Sequence, residues 1–388
     1  MGKKEKFVNF VKAENILFII VVTLFAFALR LRFFDFASYD YEYFLHGWFS
    51  AIREHGGLAA VGLDLGDYTP LYYYLLALVS YIPVNDLYLI KALSCAGDVV
   101  LAAFVMRIVK LRYSEFWGEI SYAVVMFLPS VVINSSVWAQ CDSIYTAALT
   151  ACVYYLMADK DYSAVVAFSI AFSLKLQAVF LAPLMLLLVL KRRIKARAVL
   201  ILPLVYFVSV LPAAFMGRNI WDLMTIYVSQ AGEYKDINMN IPNLFTWFPQ
   251  DAPAYAGRTA VYFAGAFVLV TLAYLCSKRF TLSKEMVLAL ALFYAMLLPY
   301  ILPYMHERYY YPADILSVVF AFYFPDKVYV PVITVFTSTY SVCRFLFGTH
   351  FINMKILSLL MLFNLIWVGI HIIYRIRGEE KKDMVYRY

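Results

Sequence analysis

Charge is scarce in this sequence. Asp, Glu, Lys and Arg make up 15% of 388 residues, against roughly a quarter in soluble globular chains. A water-soluble domain of this size needs far more polar surface, so that class is excluded. Histidine and cysteine are also few, five of each. Cys95, Cys141, Cys152, Cys276 and Cys343 lie scattered in or beside apolar runs. With no CxxC and no Cys/His spacing, nothing points to a metal or requires a disulfide. Repeats, low-complexity tracts and any linker that would split off a soluble domain are absent. The first apolar run lacks a small-residue cleavage site and reads as a retained anchor. The net charge of +7 implies no nucleic-acid partner. The basic residues sit at the ends of apolar runs, which is a topology signal.

What is present is hydrocarbon. Of all residues, 64% are hydrophobic, and continuous Leu-rich runs near bilayer length recur from end to end. A chain immersed in lipid must satisfy its own backbone hydrogen bonds, and unalternating runs do so as helices. The expectation is an all-α polytopic membrane protein, a single membrane domain over 1–388 with about twelve crossings (roughly eleven to thirteen). The segments are 15–32, 88–109, 119–137, 142–158, 163–174, 177–190, 197–216, 259–276, 285–303, 309–324, 328–346 and 353–375. The segment 68–83 is apolar but short, and is expected to be tilted or re-entrant.

Basic clusters settle the orientation. With Lys3, Lys4, Lys6 and Lys12 inside, this topology also puts inside Arg107/Lys110/Arg112, Lys160, Lys191 to Arg197, Lys278/Arg279/Lys284, Lys327 and the C-terminal tail. Both termini are then cytoplasmic. The short loops and plain tail fit a bacterial cell membrane. Two long outer loops remain, 34–67 and 217–257. Within the first, Tyr39 to Glu54 sets Tyr41, Phe44, Leu45, Trp48 and Ile52 against Asp40, Glu42, Arg53 and Glu54. This pattern predicts an amphipathic helix along the membrane surface.

Four polar constellations fall on the outer side. Ser38-Tyr39-Asp40-Tyr41-Glu42-Tyr43 follows the first helix, and a carboxylate at the mouth of an apolar cavity suits a general base. Trp138-Ala139-Gln140-Cys141-Asp142-Ser143 forms a polar turn between two apolar runs. Lys175-Leu176-Gln177 puts a lysine inside an apolar run, where it needs a partner: a phosphate, or an acid such as Asp142. His306-Glu307-Arg308 interrupts two more runs and suits phosphate oxygens. The second long loop adds Asn238, Asn240 and Asn243 with Tyr234, Trp247 and Phe248. Amides and aromatics of this kind are common in sugar sites, although turn chemistry accounts for them equally well.

In order along the chain, these motifs resemble the GT-C superfamily of membrane glycosyltransferases. The resemblance is closest to the dolichyl-phosphate-glucose-dependent glucosyltransferases of asparagine-linked glycosylation and their bacterial relatives. Asp40 stands where the family has its catalytic aspartate. Asp67-Tyr68-Thr69-Pro70-Leu71 is similar to its Asp-Tyr-Pro-Pro-Leu. Trp138-Ala139-Gln140-Cys141-Asp142 occupies the place of a His-Phe-Gln-Tyr-Asn type of motif, with Trp138 replacing the usual histidine. Ser173-Leu174-Lys175-Leu176-Gln177 resembles the Tyr-Lys-Gln segment, and His306-Glu307-Arg308 resembles His-Glu-Lys. The resemblance implies a conserved-type module over about 1–216 and a variable helical part over about 217–388. It also implies inverting transfer of a monosaccharide from a polyprenyl-phosphate donor, lodged among membrane lipids, to an extracytoplasmic glycan or lipid-linked acceptor. Asp40 is the implied base, with Glu42 two residues on competing for that role. The implied substrate-binding residues are Asp67, Tyr68, Trp138, Gln140, Asp142, Lys175, Gln177, His306, Glu307 and Arg308. Among them, Lys175, His306 and Arg308 would stabilise the departing phosphate without a metal or other cofactor. A transporter or flippase, or a ligase for a lipid-linked glycan, is the alternative. Transporters usually carry repeats and midplane sites, neither of which is seen.

Overall fold

A computed structural model describes residues 3–66, 68–230, 236–249 and 254–385. It is an all-α polytopic membrane protein. The helices are α1 (Lys3–Leu31), α2 (His46–Glu54), α3 (Pro70–Ser80), α4 (Asp86–Lys110), α5 (Glu115–Met126), α6 (Pro129–Val132), α7 (Asp142–Met157) and α8 (Asp161–Leu174). They continue as α9 (Ala182–Leu190), α10 (Ile201–Phe215), α11 (Ile220–Gln230), α12 (Ala254–Ser277), α13 (Lys284–Ile301), α14 (Tyr311–Tyr323), α15 (Tyr329–Phe347) and α16 (Met354–Val385). The strands among the described residues are β1 (Asn238–Met239) and β2 (Met305–His306), paired in parallel.

Among the described residues seven helices are long and apolar enough to cross a bilayer, and the pair α5 and α6, bent by 50°, makes an eighth. The sequence led us to expect about twelve. The difference lies in breaks. The segments expected at 142–158, 163–174 and 309–324 are helices of 16, 14 and 13 residues. The one expected at 177–190 opens as a 3₁₀ turn over Leu176–Leu181 before α9. At about 1.5 Å per residue, each falls short of the hydrocarbon thickness on its own. The segment expected to be tilted or re-entrant holds α3, eleven residues long and too short to cross.

Packing follows the sequence pattern. From Met286 onward helix α13 is apolar on every side and, apart from half-buried Phe293, buried, as such a helix must be. It lies against α7, α9, α14 and α16, while α14 also meets α4, α5 and α7. One hydrophobic cluster therefore runs through both the first 216 residues and the remainder. By contrast, Leu17, Leu24 and Phe25 of α1 and Phe263, Leu269 and Val270 of α12 are exposed, as lipid-facing positions are.

Polar fastenings hold the two ends of the bundle. At one end Arg193 binds Asp161 (3.3 Å) and the Leu282 carbonyl (3.0 Å), Lys191 binds the Lys278 carbonyl (2.8 Å), and Arg112 binds the Tyr323 carbonyl (3.0 Å). These are basic clusters assigned to one side from sequence, and the fold gathers them at one end. Helix α7 spans about 24 Å from that end to Asp142 at the other. Toward the Asp142 end, the fully buried Arg30 of α1 pairs with Asp98 of α4 at 2.9 Å and donates to the Ala26 and Met126 carbonyls. An open apolar cleft of about 990 Å³ lies between α5, α14 and α15, lined by residues such as Trp117, Leu128, Val332, Phe336 and Phe347.

Candidate active site

The chain leaving α1 is held by Lys91, which donates to the carbonyls of Phe33 (2.7 Å), Phe34 (3.1 Å) and Phe36 (2.7 Å). Ser38 then donates to the Trp138 carbonyl (3.0 Å) and accepts from the Tyr41 amide (3.3 Å). Asp40 follows at the start of a π turn over Tyr41–Leu45. A second π turn, Ile133–Val137, immediately precedes Trp138. Such turns concentrate at functional sites. Ala139, next in the chain, has φ +64°, a left-handed conformation costing roughly 1–2 kcal/mol in a residue with a Cβ. The strained bend aims both of its neighbours at one carboxylate. Asp40 Oδ2 accepts from Trp138 Nε1 (3.1 Å) and Gln140 Nε2 (2.8 Å).

A second acid sits beside the first. Asp142, fully buried at the head of α7, accepts from Asn134 Nδ2 (2.8 Å) and pairs with Lys175 Nζ (2.5 Å). Helix α8 ends at Leu174, where the chain turns extended at Lys175. Thr69 caps the carbonyls freed there, donating to Ser173 (2.7 Å) and Leu174 (3.2 Å). The ammonium of Lys175 lies 5.6 Å from the ring centres of both Tyr68 and Tyr145. Close helix packing supports this corner: a Cβ on Gly97 of α4 would lie 2.6 Å from Ser143 Oγ.

The third arm comes from the far end of the chain. Asn243 donates to the Pro299 (3.1 Å) and Leu302 (3.2 Å) carbonyls, which lie open at the C-terminal end of α13. Pairing of Met239 with His306 fixes the turn beyond. Arg308 lies over the Trp138 ring at 4.9 Å, with Nη1 3.6 Å from Asp40 and Nε 3.7 Å from Asp142. It donates to Glu307 (3.3 Å), while its buried Nε has no hydrogen-bond partner among the described residues. Burial pushes the Glu307 carboxyl up to about 7, against the lowering pull of Arg308. Burial first, then Arg308 and Lys175, hold the His306 imidazole well below its usual range. His306 is therefore neutral near pH 7 and offers a hydrogen bond rather than a positive charge.

No protein-family model matches this chain, and no curated protein matches it either.

These residues surround a cavity of about 810 Å³ whose walls include Asp40, Tyr68, Gln140, Lys175, Gln177 and the His306-Glu307-Arg308 run. Trp138 and Asp142 stand behind that wall, holding Asp40 and Lys175. The buried Oε1 of Gln177 has no hydrogen-bond partner among the described residues. Glu42 is exposed and does not line the cavity, so only Asp40 of the two competing acids reaches it. Asp67 and Tyr234 lie outside the described residues. Asn238 and Asn243 are engaged within the protein, Asn238 Nδ2 binding the Ile241 carbonyl and Asn243 Oδ1 at 2.8 Å each. They build the β1 turn rather than presenting free amides to a sugar. Sequence reasoning missed Asn134 and Tyr145. The signal for Asn134 was the polar triplet Asn134-Ser135-Ser136 inside an apolar run. Among the described residues no three His, Cys, Asp or Glu side chains converge as metal ligands.

Chemically, the cavity has one carboxylate at its wall whose orientation is fixed by two N–H donors. It also has two cations shared among three acids, and room for a molecule of sugar size. A carboxylate so held can accept a proton from a hydroxyl placed against it. An Arg donor with no hydrogen-bond partner can receive an oxyanion.

Proposed function

We propose that this chain is an inverting, GT-C-like membrane glycosyltransferase that moves a monosaccharide from a polyprenyl-phosphate donor to an extracytoplasmic glycan or lipid-linked acceptor. The observation behind the proposal is the meeting of Asp40 with Arg308 and Lys175, from three distant stretches of sequence, on one cavity. Asp40 takes the proton of the acceptor hydroxyl as that oxygen attacks the anomeric carbon. The bond to the lipid phosphate breaks, and the phosphate leaves as an anion needing positive charge but no general acid. Arg308 and Lys175 supply that charge in a site from which water is partly excluded. This differs from glycoside hydrolysis, which needs an acid for the leaving group.

The apolar cleft supports an amphipathic donor. Its Phe347 packs at 5.7 Å against Phe36, a residue of the polar cavity's wall. A prenyl tail in the cleft would deliver its phosphate toward Arg308. In this proposal α7, α8, the Leu176–Leu190 segment and α14 each cross within the bundle alongside the eight longer spans. That makes twelve crossings, with both termini in the cytoplasm of a bacterial cell and the site outside.

The test is a panel of polyprenyl-phosphate monosaccharides presented to the purified protein in detergent. One member is expected to stabilise the protein and to be consumed when acceptor is added. Asp40→Asn should lower transfer by about 10²–10⁴-fold, the usual worth of a positioned base, with unchanged thermal stability and donor binding. Full activity in that variant rejects the base assignment.

A further inference from the structure

Beyond β1, on the side away from Asp40, lies a second polar pocket of about 910 Å³. It shares Asp236, Asn238 and Asn240 with the first cavity, so the two are contiguous. Its other walls carry Arg344 from the end of α15, His350 from the connection, and Lys355 from the first turn of α16. Half-buried Arg193 and Arg218 have acids, Asp161 and Asp64, and Arg375 rests on the Phe324 ring. Among the described residues no side-chain hydrogen bond or ion pair engages Arg344, which is half-buried, or His350. The exposed Lys355 lies over the Trp247 ring, 5.3 Å away, its one side-chain contact of this kind among the described residues. Its position in an opening helical turn sets it against the helix dipole. Asp236 is the sole acid on the wall among the described residues. Three cationic or potentially cationic side chains facing one concave space, none of them matched to an acid, form a site short of negative charge.

We infer that this second pocket binds an oxyanion, a phosphate or a carboxylate, carried by the acceptor, and so holds the acceptor while its hydroxyl reaches Asp40 across the shared wall. Naming the acceptor as the source rests on the transferase proposal, whereas the anion site itself does not. Arg344 and Lys355 are binding residues here, remote from the reacting atoms.

The experiment uses the full chain in nanodiscs of pure phosphatidylcholine, titrated with inorganic pyrophosphate and followed by thermal stability. Saturable stabilisation is expected, weakened at least tenfold in Arg344→Gln/Lys355→Gln and kept in Arg344→Lys/Lys355→Arg, which checks that the first variant is folded. Loss in Arg308→Ala with retention in the Gln pair would put the anion in the Asp40 cavity and overturn the inference, as would the absence of any binding. Repeating the scan in discs containing phosphatidylglycerol separates the sources. Stabilisation by that lipid alone, lost in the Gln pair, makes the occupant a bilayer headgroup and overturns the acceptor assignment. Where transfer is measurable, the Gln pair should raise the acceptor KM tenfold or more with donor KM and kcat unchanged. Pyrophosphate binding at Arg344 and Lys355 without transfer from any donor would leave the anion site standing and reject the transferase.

Discussion

Two buried arginines, Arg30 and Arg308, each face aspartate, and the contrast between them separates fastening from function. Arg30 donates Nε to Asp98 at 3.0 Å and Nη1 to two carbonyls, and Asp98 takes a further bond from Ser135 at 2.7 Å. The pair lines none of the three cavities described above. Arg308 stands 3.6 and 3.7 Å from Asp40 and Asp142, beyond hydrogen-bond contact with either, on the wall of an 810 Å³ cavity. A buried ion pair repays its desolvation only with close geometry and further hydrogen bonds. The Arg30 pair has that geometry. Arg308 has a hydrogen-bonded pair with Glu307, at 3.3 Å, and with neither aspartate, which leaves part of its charge available to something that enters.

The comparison breaks most sharply at Arg30. Arg30→Met leaves Asp98 without its cation and should cost about 3–5 kcal/mol of stability, read as a large fall in the thermal midpoint in detergent. The double variant Arg30→Met/Asp98→Leu should recover most of it, because an apolar pair of similar volume removes the uncompensated charge. A midpoint unmoved by Arg30→Met would erase the distinction. Next in size, Arg308→Ala should lower kcat/KM for donor by about 10²–10³-fold, the loss typical of one transition-state donor, with a thermal midpoint close to that of the parent. A fall in stability as large as that of Arg30→Met would recast Arg308 as a second fastening.

The smallest effect is a pH dependence. Glu307 is raised in the folded state to about 7, so the fold binds its proton more tightly than the unfolded chain does. Its contribution is therefore fully present below the ordinary glutamate range and lost as pH rises through about 7. Ionisation also places a third carboxylate beside Asp40 and Asp142, disfavouring an incoming phosphate. Donor KM should rise a few-fold between pH 6 and 8, and Glu307→Gln should flatten that rise. An unaltered profile in the variant would assign the titration elsewhere.

Much of this was legible in the sequence because it is expensive. Asp40, Asp142, Lys175 and Arg308 stand out as charges within or at the ends of apolar runs, and lipid tolerates such charges only where they are paired or hydrated. The apolar runs likewise gave the all-α membrane class. The Arg30–Asp98 pair went unread because a single charge near a helix end looks like an ordinary boundary until its partner, 68 positions away, is known. Of the apolar face read in Tyr39 to Glu54, Leu45 and Ile52 are buried and Tyr41 and Trp48 half-buried against the same cluster. Phe44 departs from that face and is 49% exposed, while Phe49, which was not assigned to it, is fully buried. Phe44 lies within the π turn over Tyr41–Leu45, which closes its hydrogen bonds one residue later than an α turn. No side-chain pattern announces that turn.

The same turn has an evolutionary side. It holds one residue more than a regular turn would, and each residue of a helix advances the face by about 100°. The direction in which Asp40 points relative to α2 is thus written in chain length and not in chemistry. Exchanging Tyr43 for another side chain leaves that count intact. Losing a single codon between Tyr41 and Leu45 would not, and lineages carrying this architecture should accept substitutions there far more readily than gaps.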